Sequence, residues 1–422
     1  MTDRLMMNRR RVLASAAGLG LSVTFLGRPA LADTDGALDK RKLVVVICRG
    51  GMDGLSVSPP VGDADYQGLR RGIAFKPEDV LKLDGTFGLH PALTSVHALA
   101  LKGQARIAPA VATPDRARSH FEAQDVLESG SAQVYATTSG WLNRALEALP
   151  ASRKAQGLYV GATTPLILRG KVQAASWSPG KGVDETARLP TLLQDLYKTD
   201  PLMGPAFARG LETESMAQVA MTAMATPVEP LVAAGGMAAP GMMAASAVGR
   251  GGRAGRDAAR KLGATLAGFM VQDGGPRIAA LSLDGWDTHA GQVGQINTRL
   301  TYLDAVLSGL NTGLGDEWKN TVVVTVTEFG RTARANGTGG TDHGTASTAL
   351  VLGGALKPGG IIGDWPGLAQ PALYENRDLA PTLDMRGLFK GLLGDHMGLD
   401  RAALESRVFA NSAEARAVTG LV

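Results

Sequence analysis

Apolar positions along this chain follow two periods in turn. Unbroken apolar runs at residues 42–48, 106–111, 277–283, 321–327 and 348–352 read as strands covered on both faces. Residues 157–160 and 166–168 are shorter strand candidates. Between these runs, apolar residues recur at helical spacing in residues 91–101, 119–128, 140–149, 292–310 and 378–393. In 292–310 the stripe is Ile296, Leu300, Leu303, Leu307 and Leu310. Strands alternating with helices predict an α/β fold: a doubly wound, mainly parallel sheet with helices on both faces. The alternation lapses over residues 187–262, where helical patterns and an excess of methionine, alanine and glycine (residues 216–255) predict a helical insertion. Residues 33–422 thus read as one domain carrying that insertion.

Turn residues punctuate the pattern. Gly50 and Gly51 follow the first strand, where a tight turn or a close backbone approach needs glycine. Ser119 with Glu122 three residues on is a capping-box pattern, and Gly130 is placed to end that helix.

Residues 1–32 stand apart from the fold pattern. Asn8-Arg9-Arg10-Arg11 resembles the twin-arginine export consensus, an apolar stretch follows from residue 14 to 26, and Ala30-Leu31-Ala32 supplies a small-x-small cleavage pattern. The apolar run is shorter than the roughly 20 residues a membrane span requires. The expectation is a cleaved signal, a mature chain from Asp33 with no membrane span, and a periplasmic or otherwise exported location. Twin-arginine export carries folded proteins, which suits one that acquires a metal first. The signal also changes the charge. Removing its five arginines from 43 basic residues, and Asp3 from 39 acidic ones, leaves 38 of each. The mature chain is neutral and has no basic run, so nucleic acid is not an expected partner. The single cysteine, Cys48, ends an apolar run and reads as a core residue, so the fold has no internal disulfide.

Candidate chemistry gathers at strand ends. Asp53, Asp284, Asp287, His289, Glu328, Asp342 and His343 each lie within a few residues of a strand, and open α/β sheets bind ligands at their carboxyl edge. Acids brought together there repel unless a cation or an arginine neutralises them. Carboxylates with imidazoles suit zinc or manganese. Ser119 and His120 open a helix whose positive end favours an approaching anion, so Ser119 fits either a cap or a nucleophile and His120 a proton-transfer group. No Gly-x-Ser-x-Gly elbow and no phosphate-loop ending occur.

Seven segments together resemble the bacterial domain-of-unknown-function 1501 family. They are Arg-Gly-Gly-Met-Asp-Gly at 49–54, Arg-Ser-His-Phe-Glu-Ala-Gln-Asp at 118–125, Gly-Trp-Leu at 140–142, Leu-Asp-Gly-Trp-Asp-Thr-His at 283–289, Thr-Glu-Phe-Gly-Arg-Thr at 327–332, Gly-Gly-Thr-Asp-His-Gly at 339–344 and Gly-Asp-Trp-Pro-Gly at 363–367. Members are typically twin-arginine exported and have no established activity. That family is more distantly similar to the alkaline phosphatase–sulfatase superfamily. The resemblance implies an alkaline-phosphatase-like domain binding one or two divalent ions (zinc, manganese, magnesium or calcium). It makes Asp53 a first-strand ligand, Asp284, Asp287 and His289 a middle group, and Asp342 with His343 a late pair. It also implies a helix opening at Asp378. The superfamily's further late histidine has no counterpart in a matching context, since only His396 follows, and a Cys-x-Pro-x-Arg sulfatase signature is absent. Two functions follow. One is a metal-dependent hydrolase of anionic phosphate or sulfate esters, with Ser119 and His120 catalytic. The other is a non-catalytic periplasmic binding or assembly protein that holds a protein partner on the same fold.

Overall fold

The computed structural model describes residues 38–149, 157–161, 164–177 and 252–422, and positions 210, 213 and 216. The signal region and most of the expected insertion lie outside the described residues. No helix among the described residues is long and apolar enough to cross a membrane.

Eight strands build the main sheet: β1 (Lys42–Cys48), β4 (Ala105–Ala112), β5 (Gly157–Val160), β6 (Ala174–Trp177), β7 (Ile278–Leu283), β8 (Thr321–Val326), β9 (Ser347–Leu352) and β10 (Leu383–Asp384). The two-residue strands β2 (Leu81–Lys82) and β3 (Gly88–Leu89) pair separately. The order in the main sheet is β10-β4-β9-β8-β1-β7-β5-β6. All its neighbours are parallel except β9, which runs antiparallel to β8 and β4. The chain between β8 and β9 contains no helix. Without a crossover it cannot return to the far edge, so it turns back beside β8.

β1 is buried along its whole length, which explains its unbroken apolar run. Val44, Val46 and Cys48 join one core, and Leu43, Val45 and Ile47 join the other. Cys48 is a buried free thiol whose burial raises its pKa, in keeping with a core role. Helices cover both faces, as the alternation predicts: α1 (Thr94–Ala100), α4 (Arg253–Val271) and α5 (Gln292–Leu314) on one, and α2 (His120–Ser129), α3 (Trp141–Ala148) and α6 (Met385–Gly391) on the other. α4 and α5 approach closely because of two glycines. A Cβ on Gly263 would sit 1.9 Å from the Val306 carbonyl oxygen, and one on Gly309 2.0 Å from that of Arg260.

Three expectations are corrected. Residues 166–168 form a 3-10 turn that buries Ile167 and Leu168, and the pairing strand is β6. Ser119 makes no side-chain cap bond, so the capping box does not form, although Gly130 does end α2 in a left-handed conformation. No helix opens at Asp378. Pro381 disfavours helical geometry in the residue before it, and Asp384 caps the later start by accepting from Arg386 N. His396 lies near the other edge of the sheet, where its Nε2 donates to the carbonyl of Lys42 at 2.9 Å.

Burial lowers both His90 and His396 to about 4, so each is neutral in the folded chain at pH 7. Their folded values lie below the unfolded value near 6.5. The stability linked to them is therefore present above that pH and lost as the pH falls toward 4, up to about 3 kcal/mol each. Denaturant midpoints are expected to fall across this window. His396→Gln, which keeps a donor for Lys42 but cannot titrate, is expected to give a shallower decline. An equal slope in the variant would contradict the assignment.

Candidate metal centre

The sheet releases its polar residues at one height. Cys48 pairs with Leu283 and Ile47 with Val326, so Arg49, Asp284 and Thr327 leave three neighbouring strands together. The reversal at β9 brings Asp342 and His343 back to that edge, and the exit from β4 leads to His120 at the start of α2.

There His120, Asp287 and His343 converge, with one ligand atom of each within 4.8 Å of the others. Both imidazoles are held by Nδ1. His120 Nδ1 faces Glu328 Oε1 at 3.0 Å, and His343 Nδ1 faces the Arg118 carbonyl at 2.9 Å. A carbonyl only accepts, so His343 Nδ1 carries the hydrogen and the neutral ring presents its lone pair at Nε2. That Nε2 lies 3.2 Å from Asp287 Oδ1. His120 Nε2 is buried without a hydrogen-bond partner and lies 3.5 Å from Asp287 Oδ2. An orphaned imidazole nitrogen beside a carboxylate, with the other nitrogen on a buried acid, is the arrangement that carboxylate–histidine–metal sites use. The donor set fits a divalent ion. Arg118 contributes its carbonyl from a left-handed conformation, φ 58°, rare for a residue with a side chain.

Charges around the trio are strongly coupled. Glu328 is fully buried, which by itself raises its pKa. Hydrogen bonds from His120, Gly50 N and Gln124 outweigh burial and hold the carboxyl below its usual range. In return, the bond to Glu328 raises the His120 imidazole against the opposing effect of burial. Burial lowers His343. Partial burial tends to raise Asp287, but Arg331 and the neighbouring imidazoles hold it at about 2. Arg331 is fully buried, with Nη2 on Asp287 Oδ1 at 2.5 Å.

The remaining expected residues are placed differently. His289 and Asp342 flank the trio. His289 Nε2 is 2.9 Å from Asp287 Oδ1 and 3.1 Å from His343 Nε2, and its Nδ1 is 3.2 Å from Asp342 Oδ1. Asp53 is not in the trio. Its buried carboxylate pairs with Arg70 and accepts from Ser56 and Gln292. Asp284 stands apart from the trio at the surface, where partial desolvation raises its carboxyl against the opposing charge of Arg49. Ser119 lies between the two residues that supply His120 and the carbonyl on His343. Asp378 is buried between Arg118 and Arg377. From the sequence, Arg331 reads equally as an anion-binding or a surface residue, and Arg70 and Gln292 carry no signal, yet the fold buries all three. The one signal for Arg331 was its place in Thr-Glu-Phe-Gly-Arg, directly after the most β-branched strand.

Residues 40–408 match the family described as Protein of unknown function (DUF1501), and the chain belongs to that family. No curated protein matches the sequence. Among solved structures, the chain is similar to the C-terminal periplasmic domain of EcEptC from Escherichia coli in complex with zinc. That match has 10% identity, a TM-score of 0.38, and 88% of this chain and 87% of that one covered. It is also similar to the phosphonate monoester hydrolase of Agrobacterium radiobacter, with 12% identity, a TM-score of 0.34 and coverage of 85% and 74%. A third is a protein in the alkaline phosphatase superfamily from Vibrio parahaemolyticus, with 10% identity, a TM-score of 0.34 and coverage of 76% and 62%. At such scores the likeness is one of outline, and the chemistry must come from the side chains.

Replacing Glu328 by Gln removes the charge that raises His120 while keeping a hydrogen-bonding group. In metal-free protein the His120 imidazole is expected to titrate at lower pH than in the unsubstituted chain, as read by NMR. An unchanged titration would show that Glu328 does not govern that ring.

Proposed function

We propose that this chain is an exported, metal-dependent hydrolase of phosphate or sulfate esters. The observation that carries the reading is the pair of Nδ1-anchored imidazoles whose Nε2 atoms face one carboxylate, the His120 Nε2 having no partner. Two imidazoles and one carboxylate suit zinc or manganese better than the oxygen-seeking magnesium and calcium. Three protein ligands leave further positions open, as catalytic sites require. A divalent ion held there supplies Lewis-acid polarisation of an ester oxygen and a more acidic bound water.

The chain's own residues support the same chemistry. Asp287 within the trio and Asp342 beside it face solvent and would repel an anionic ester unless a cation offsets them. The Ser119 hydroxyl, free of any cap bond, is available as a nucleophile at the positive end of α2. His120 is committed to the ion by its orphaned nitrogen, so the proton-transfer role assigned to it from sequence gives way to ligation. Export rests on the twin-arginine pattern of residues 8–13.

One observation favours the non-catalytic reading. Arg331 already neutralises Asp287 without any ion. The two readings separate on metal content. The mature protein is expected to bind one zinc or manganese per chain, lost in His120→Ala and His343→Ala, and to hydrolyse an aryl phosphate or sulfate ester. Ser119→Ala is expected to retain the metal and lose turnover by about 100-fold or more. A folded, metal-free protein inert across mono- and diesters would leave the binding role.

A further inference from the structure

Under the two loops that carry Asp287 and His343 lies a polar chain with no place in the ion site itself. Asp53, Ser56, Arg70, Thr288, Gln292 and Thr341 are all buried. Gln292 opens α5, and its side chain bridges in two directions. Nε2 donates to Asp53 Oδ2 at 2.5 Å and to Ser56 Oγ at 3.2 Å. Oε1 accepts from Thr288 Oγ1 at 3.0 Å and from Thr341 Oγ1 at 2.6 Å. The amide has no choice of direction. Asp53, ion-paired to Arg70, can only accept, so the NH2 group must face it and the oxygen must face the threonines.

The two threonines are not arbitrary. Thr288 lies between Asp287 and His289, and Thr341 immediately precedes Asp342 and His343. The backbone repeats the link. Gln292 N donates to the Gly339 carbonyl at 2.9 Å, which also satisfies one unpaired N–H of the helix start, and Thr341 N donates to the Thr288 carbonyl at 3.3 Å. One amide thus holds both ligand-bearing loops, and a buried ion pair sets which way it points.

We propose that Gln292 is a positioning residue that holds the Asp287 and His343 loops in register, with the Asp53–Arg70 pair orienting its amide. The proposal rests on the reading of His120, Asp287 and His343 as an ion site. It assigns Asp53 an indirect role: its charge is spent on Arg70 and Gln292, and it acts on the ion through loop geometry. Charge exchange distinguishes this from simple space filling. Gln292→Glu is nearly isosteric but sets a second carboxylate against Asp53. The double variant Asp53→Asn with Gln292→Glu restores one amide and one carboxylate.

The test is zinc affinity by chelator competition, together with hydrogen exchange of the metal-free protein. Gln292→Glu is expected to weaken zinc binding about tenfold or more, the range seen when residues behind metal ligands are changed, with most of the loss recovered in the double variant. Thr288→Val and Thr341→Val, milder changes that keep the fold should the carboxylate variant fail, are each expected to speed exchange in both loops, 284–291 and 339–345. Unchanged zinc affinity in folded Gln292→Glu, no recovery in the double variant, or loosening confined to the substituted loop would overturn the proposal. If the unsubstituted protein binds no zinc, the ion-site reading fails, and the exchange pattern still decides whether Gln292 couples the loops.

Discussion

The site depends on one buried guanidinium. Arg331 donates through Nε to the Gly51 carbonyl at 2.7 Å, through Nη1 to that of Thr341 at 3.1 Å, and through Nη2 to that of Gly50 at 2.5 Å and Trp286 at 3.2 Å, besides Asp287. These acceptors belong to the loops after β1 and β7 and before β9. Carbonyls leaving the end of a sheet would otherwise be buried without donors, which costs roughly 1–3 kcal/mol each. A planar fork with five N–H groups can satisfy several at once, which a lysine cannot. Glycine makes the approach possible. A Cβ on Gly50, at φ +120°, would lie 2.6 Å from Asp287 N.

Arginine also changes how the acids at this edge should be understood. Gathered acids call for a cation or an arginine, and the sequence left both open. In the fold several acids near this edge are neutralised by the chain itself: Asp53 by Arg70, Glu128 by Arg49, and Asp378 by Arg118 and Arg377. Removing one partner from a buried pair of this kind leaves a charge that the interior cannot solvate. One place keeps a donor set open, where His120 and His343, each anchored at Nδ1, turn Nε2 toward the Asp287 carboxylate. His396, the only histidine late enough to extend that set toward a second ion, lies instead against Lys42 at the start of β1.

Much of the architecture was legible along the chain. β1 and β8 announced themselves as unbroken apolar runs because both faces of a central strand are covered. The stripe of Ile296, Leu300, Leu303, Leu307 and Leu310 marked α5 because it packs on the sheet along one side. The segment 166–168 misled because three apolar residues bury equally well in a 3-10 turn. The reversal of β9 was invisible, since a buried strand carries the same residues in either direction. It showed only as a missing helix between β8 and β9.

By itself the sequence determined the fold class, the edge of the sheet where chemistry collects, and the Asp/His segments at that edge. These are local properties: periodicity, turn residues, and the identity of side chains at strand ends. Only the tertiary structure decided which of them meet. It took Asp53 into an ion pair, left Asp284 exposed, and joined His120, from a helix 167 residues before Asp287 in the chain, to Asp287 and His343. The reason is physical. Ligation depends on distances of a few ångströms and on which ring nitrogen is already bonded, and both are set by packing between segments far apart in the chain.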